Sequence, residues 1–165
     1  MIKQSLQTVK VADEVWLLVA LLHRENPKRQ DFAIQEIVKR AAAESISDEV
    51  RPGVYVHALQ HCVANRAPTP GRYRMLYETD KGRRRLFRAG DSYHPDREGA
   101  KIIPNKEDVP EKYRELIDWY NTKFKRIPGK EPEEDRLLAL RGMWKGLWRD
   151  ENPDEYVRRL RKDWE

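Results

Sequence analysis

The chain has 165 residues, 39% of them apolar, and a formal net charge of +5, which suits one globular domain with a small appendage. No run approaches the roughly 18 apolar residues that a membrane span requires, and Cys62 stands alone, so no internal disulfide is possible. The segment MIKQSLQTVK lacks the apolar core of a signal peptide. We therefore expect a cytoplasmic protein with no membrane partner.

Residues 9–25 repeat apolar side chains at helical spacing and predict a first amphipathic helix, with Trp16 on its inward stripe. Asp13, Glu14 and His23 fall outside that stripe. We expect these three side chains to lie toward solvent or at the edge of the stripe.

Two more short helices are predicted before residue 66. Asp31 is a suitable N-cap for the second helix, whose inward positions include Ala42. Pro52 suits the first turn of the third helix, and Cys62 belongs to its inward apolar face as a small buried hydrophobe.

A β-hairpin is predicted after the third helix, because RYRMLYET and RRRLFRA alternate polar and apolar residues around a DKG turn. The next segment, up to residue 105, indicates an ordered loop beside the hairpin, and helix returns after Pro110 to cover one side of the domain. This order predicts a mainly helical α+β fold with a winged helix-turn-helix domain over residues 1–124. A linker is expected over residues 125–135, followed by an amphipathic tail over residues 136–165.

Basic charge is concentrated in residues 51–103, which hold 11 Lys and Arg against 5 Asp and Glu. Such a local excess is typical of phosphate contact. We therefore predict binding to double-stranded DNA, with the third helix in the major groove and the hairpin as a wing. The predicted contacts are Arg51, Tyr55, His57, Gln60, His61, Asn65, Arg72, Arg74, Arg83, Arg84, Arg85 and Arg88. The alternative for the hairpin arginines is simple protection of a sheet edge by charge.

A zinc site is a further interpretation of His57, His61, Cys62 and His94. The i,i+4 spacing of the two helical histidines favours such a site, but Cys62 belongs to the opposite, apolar face. No paired carboxylate, nucleophile motif or phosphate-cradling loop is apparent. We therefore expect no metal, no cofactor and no enzymatic activity.

The tail holds three of the five tryptophans in the chain. Exposed aromatic residues on an amphipathic segment favour a partner's groove. Folding back on the domain and pairing in a homodimer are the alternatives.

Two segments resemble known families. Residues 9–124, through RPGVYVHALQHCVANRAPTPGRYRML, RRRLFRAGDSYHPDREGAK and ELIDWY, look like a prokaryotic domain of unknown function with a winged-helix fold. Residues 136–165, through an apolar helix, an acidic break and YVRRLRKDW, look like the toxin-binding tail of VapB-type antitoxins.

The second resemblance implies an antitoxin that binds operator DNA and neutralises a PIN-domain ribonuclease with its tail. An arginine would enter the acidic site of the toxin, and aromatic residues would anchor the tail by burial. The alternatives are a stand-alone winged-helix regulator with a dimerising tail and, ranked last, a metal-dependent enzyme. The implied toxin contacts are Leu140, Trp144, Leu147, Trp148, Tyr156, Val157, Arg158, Arg159, Leu160, Arg161 and Trp164.

Overall fold

The computed structural model describes residues 8–126, which form an α+β fold with four α-helices and a small three-stranded antiparallel sheet. The chain divides into two units between Ile127 and Pro128, and the described residues belong to the first. The predicted contacts of the tail lie outside the described residues. In chain order the elements are α1 (Val11–Glu25), β1 (Phe32–Ala33), α2 (Ile34–Glu44), α3 (Pro52–Val56), a π-helical turn (His57–His61), β2 (Leu76–Asp80), β3 (Arg83–Leu86), 3-10 turns (Pro95–Arg97, Lys106–Asp108, Glu111–Tyr113), α4 (Arg114–Trp119) and a second π-helical turn (Tyr120–Phe124).

Helix α1 is the centre of the core, and its residues 12–20 are all buried. The prediction that Asp13, Glu14 and His23 lie toward solvent or at the edge of the apolar stripe is wrong, because all three side chains are buried. Lys101 reaches Asp13 at 3.1 Å, and Arg51 donates from Nε to Glu14 at 2.9 Å. Because other segments cover this helix on several sides, its carboxylates are buried, and partly exposed cations from distant positions pair with them.

Helix α2 begins later than its sequence predicts. Ala33 is the N-cap, and the carboxylate of Glu36 accepts a hydrogen bond from the Ala33 amide at 2.8 Å. Asp31 does not cap the helix: it accepts from Arg83 Nε at 2.6 Å instead. Ala42 is exposed, and Ala41 takes the inward position.

The sheet has the strand order β1-β3-β2, and both pairs are antiparallel. The predicted hairpin is confirmed by β2 and β3, which meet at Gly82 with a positive φ of 73°. Strand β1 was not predicted, since two residues carry no readable alternation. It pairs Phe32 with Arg84 and makes β3 the central strand. The loop after the hairpin also packs as predicted, with the Arg74 amide donating to the Lys101 carbonyl at 2.9 Å.

The last helical segment covers the core as predicted. Leu116, Ile117 and Tyr120 are buried, and Tyr120 packs edge-on against Trp16 with ring centroids 5.7 Å apart. The Tyr120 hydroxyl donates to the Phe87 carbonyl. This order of helices and strands is compatible with a winged helix, and no helix in residues 8–126 is long and apolar enough to cross a membrane.

Candidate nucleic-acid interface

The outer face of the third helix, which is α3 with the π-helical turn that continues it (residues 52–61), begins with aromatic and aliphatic side chains. Tyr55 is 47% exposed and Val56 is 42% exposed. Pro52 opens the helix, and Arg51 at the N-cap position is bound to buried Glu14. The ion pair fixes the start of the helix against α1, with Val54 buried and the next two side chains, Tyr55 and Val56, facing outward.

The two histidines of this helix are half-buried. His57 Nδ1 lies 2.8 Å from the Gly53 carbonyl, and the His57 and His61 rings are 4.9 Å apart. Burial lowers the pKa of His57, the hydrogen bond to Gly53 opposes that shift, and the charges of His61 and Arg51 add to it. A Cβ placed on Gly71 would lie only 3.0 Å from His61 Cβ, so a larger residue there would push the following segment away from the helix.

Two buried arginines donate hydrogen bonds to the backbone carbonyls at the C-terminal end of the third helix. Arg84 donates to the carbonyls of Ala58 at 3.0 Å and Leu59 at 3.1 Å. Arg97 donates to the carbonyls of Gln60 at 2.9 Å and His61 at 2.8 Å.

Four consecutive carbonyls thus have guanidinium donors. The last carbonyls of a helix have no partners within the helix. Positive charge near them is stabilising, because the C-terminal end of a helix carries a partial negative charge. Burial lowers the pKa of both Arg84 and Arg97, yet arginine retains its proton in proteins. The two side chains therefore link the helix to β3 and to the loop after it.

Arg84 was predicted to contact DNA, and its placement corrects that assignment. Its residue exposure is 0%, and besides its two helix contacts it forms an ion pair with Glu78 at 2.9 Å. Alternation along β3 turns Arg84 and Leu86 inward and Arg83 and Arg85 outward. A guanidinium held in this way is not available to a phosphate.

The outward arginines of β3 are both paired with carboxylates. Arg83 binds Asp31, and Arg85 makes two bonds to Asp91 at 2.6 and 2.8 Å. Arg85 also stacks over the Tyr77 ring at 4.5 Å. Three carboxylates from outside residues 51–103 pair with cations inside that range: Asp31 with Arg83, Asp13 with Lys101 and Glu14 with Arg51. They neutralise part of the basic excess.

Other predicted contacts remain on the surface without a carboxylate partner in the described residues. Arg72 is exposed, and so is Lys81 at the tip of the hairpin, which was not among the predicted contacts. Arg74 lies over the Tyr93 ring at 4.1 Å, and Arg88 lies over the Phe124 ring at 4.3 Å. The remaining basic surface of residues 51–103 therefore consists of exposed Arg72 and Lys81 together with half-buried Arg74 and Arg88.

Two polar side chains of the predicted interface differ in their engagement. Asn65 forms a pair of hydrogen bonds with the backbone of Glu78, at 3.0 and 2.9 Å, and so ties the end of the third helix to β2. Gln60 is half-buried, and its side-chain amide makes no hydrogen bond within residues 8–126. The donors and the acceptor of the Gln60 side chain therefore have no partner among residues 8–126.

Sequence reasoning did not find Arg97, although its guanidinium organises five backbone carbonyls, of residues 60, 61, 66, 67 and 73. No local signal distinguishes it from any other loop arginine. Lys81 had a signal, since a cation in a DKG turn stands at the tip of a hairpin.

The residues considered as zinc ligands do not converge in the described part of the chain. Cys62 is buried, and burial raises the pKa of its thiol. His94 Nδ1 accepts from the Asp96 amide at 3.2 Å. Within residues 8–126, no group of three or more His, Cys, Asp or Glu is placed to hold a metal ion.

Comparison with family models, with curated proteins and with solved structures gave no match for this chain.

Proposed function

We propose that this chain is a winged-helix DNA-binding protein, with the third helix directed at base edges and the β2–β3 hairpin at the sugar–phosphate backbone. The observation that carries the proposal is the topology: a third helix is followed, after residues 62–75, by a hairpin whose inner strand, β3, also pairs with β1. A winged helix has this order of elements.

The surface supports the proposal at two places. The first turn of the third helix exposes Tyr55 and Val56 rather than burying them, and N-terminal residues of recognition helices contact bases in the major groove. Lys81 at the hairpin tip and Arg72 beside the helix are exposed cations suited to phosphates.

The test is a salt titration of DNA binding by the full-length chain. The variant Arg72→Ala/Lys81→Ala removes two exposed cations. The negative slope of log K against log salt should become shallower by about 2, because each phosphate contact contributes about 0.9 to its magnitude. Lys112→Ala/Lys123→Ala makes the same charge change on the last helical segment and should leave the slope as it is. Equal slopes for both variants would remove the hairpin and Arg72 from the proposed interface.

The proposal extends to the tail, in which residues 136–165 would neutralise a PIN-domain ribonuclease so that the chain acts as an antitoxin and represses its own operon. The support is the sequence resemblance of that segment alone. Trp144, Trp148 and Trp164 would anchor the complex, since buried aromatic residues dominate binding energy at interfaces.

Co-purification tests this second part. The tagged full-length chain and a chain truncated after Lys130 are recovered from the native cell, and the bound proteins are identified. A PIN-domain ribonuclease bound by the full-length chain alone is the expected result. If neither form recovers a partner and both still bind DNA, the result favours a stand-alone regulator whose tail mediates dimerisation.

A further inference from the structure

The third helix carries no lysine or arginine along its length. Between Arg51 and Arg66 the sequence contains no Lys or Arg. Arg51 is held by Glu14, and Arg66 binds Glu78 at 2.5 Å. Arg or Lys binding to guanine O6 and N7 is the commonest specific contact in the major groove. This helix has no side chain of its own for that contact.

The exposed side chains of the helix are better suited to an A·T base pair. Tyr55 and Val56 expose apolar surface, which complements the C5 methyl group of thymine. Gln60 lies one helical turn after Val56 with its side-chain amide unengaged within the described residues. A glutamine amide forms paired hydrogen bonds with adenine N6 and N7.

Phosphate contact is available beside this apolar face. Arg72 is exposed and follows Gly71, whose backbone packs against His61 in the second half of the helix. The cation therefore adjoins the third helix, and the positive charge of the surface is complementary to a DNA backbone. An apolar face bordered by a cation fits a major groove lined with methyl groups.

We propose that the third helix selects A·T base pairs, with Val56 and Tyr55 against thymine methyl groups and Gln60 on adenine. The inference rests on the proposed DNA binding and names its sequence class. Selectivity arises because a G·C pair offers neither the methyl group nor the adenine pattern of donor and acceptor, and the helix has no lysine or arginine to bind guanine instead.

The first experiment selects duplexes with a randomised centre on the full-length protein and reads the enriched sequences. The best duplex is then remade with deoxyuridine in place of thymidine, which removes only the C5 methyl groups. Enrichment of A·T pairs is expected. The deoxyuridine duplex should bind more weakly by about fourfold for each methyl group that packs against the helix, equivalent to about 0.8 kcal/mol per buried carbon.

Two matched variants assign the effect to the helix. Val56→Ala should lose most of the sensitivity to deoxyuridine, while Val50→Ala should keep it. Val50 is also exposed, at 45%, but precedes the helix. Gln60→Ala should relax the preference for adenine at one position of the enriched site.

The outcomes separate this inference from the function on which it rests. Binding with enrichment of G·C pairs, or equal sensitivity to deoxyuridine in the two valine variants, overturns the inference and leaves DNA binding intact. A change in oligomeric state on Val56→Ala, without a change in base preference, would make this face a contact between copies and overturn it too. Failure to bind any duplex at low salt removes the proposed function and the inference with it.

Discussion

Individual arginines of the hairpin have different roles although they are adjacent in sequence. Arg84 is fully buried, whereas the side chain of Arg83 is 38% exposed. An inward guanidinium must satisfy its donors within the protein, and Arg84 does so on the Ala58 and Leu59 carbonyls and on Glu78. Removal of such a side chain leaves several buried acceptors without donors.

Replacement of Arg84 should therefore be far more costly than replacement of its neighbour. Arg84→Met is expected to lower the free energy of unfolding by about 3 kcal/mol, because it breaks a buried, hydrogen-bonded charge pair. Arg83→Met removes a partly exposed pair and should cost about 1 kcal/mol or less. Urea denaturation of both variants measures the difference, and similar midpoints would contradict the structural role of Arg84.

A second residue-scale prediction concerns the buried histidine of α1. His23 Nε2 accepts from the Leu86 amide at 3.3 Å, and its ring packs between Phe32 and Phe124. Burial, reinforced by the charges of Arg88 and Arg85, lowers the pKa of His23 from 6.5 to about 3. Between pH 6.5 and about pH 3, His23 therefore binds a proton in the unfolded chain but not in the folded chain.

The stability contributed by neutral His23 is complete above pH 6.5 and is lost as the pH falls toward 3. The slope approaches about 1.4 kcal/mol per pH unit in that window. His23→Gln should flatten the decline between pH 6.5 and about 5, above the range in which carboxylates titrate. His57→Gln removes a half-buried histidine and should flatten it less. Parallel profiles for wild type and His23→Gln would show that His23 does not set the acid sensitivity.

At the scale of elements, the third helix is held at both ends by residues far away in sequence. Arg51 joins its start to Glu14 of α1, and Arg97 binds the carbonyls of Gln60 and His61 at its end. The hairpin is anchored in a similar way, because the Ile34 amide donates to the Gly82 carbonyl at 3.1 Å. The helix and the hairpin of the proposed interface are therefore each held by bonds to distant segments.

The charge of Arg97 alone is not sufficient for this role. Arg97→Lys keeps the charge but cannot reach several carbonyls in a fixed planar fork. We expect a loss of about 2 kcal/mol in the free energy of unfolding. Faster hydrogen exchange is expected at the Val63 and Tyr73 amides, which bond to the Gln60 and His61 carbonyls.

Arg114→Lys is the matched control for this prediction. Arg114 also donates to carbonyls, those of Lys106 and Val109, but it is exposed. Its replacement should leave exchange at Val63 and Tyr73 as in wild type. Unchanged exchange in Arg97→Lys would mean that Arg97 does not hold the end of the helix.

At the scale of the whole molecule, the proposed function places DNA binding and partner binding on different parts of the chain. Residues 51–88 carry the proposed DNA contacts, and residues 136–165 carry the proposed toxin contacts. Substitutions in one part should therefore have little effect on the activity of the other.

Trp148→Ala tests this separation. The variant should bind DNA like wild type but release a PIN-domain partner more readily, with an affinity loss of about 2 kcal/mol or more if the indole is a central anchor. Tyr55→Ala is the reciprocal variant and should weaken DNA binding alone. Titration of each variant with DNA and with the partner measures both effects, and a loss of DNA binding in Trp148→Ala would contradict the separation.

The sequence by itself determined the order of helices and the hairpin, because apolar periodicity and turn residues such as Asp80 and Gly82 act locally. It also identified Trp16 and Cys62 as core residues. Only the tertiary structure decided how the charges are used. A distant segment brings a carbonyl, carboxylate or guanidinium within about 3 Å of Arg84, Arg97 or Glu14, and that partner decides whether the side chain faces solvent. The sequence pattern around each residue holds no information about that partner.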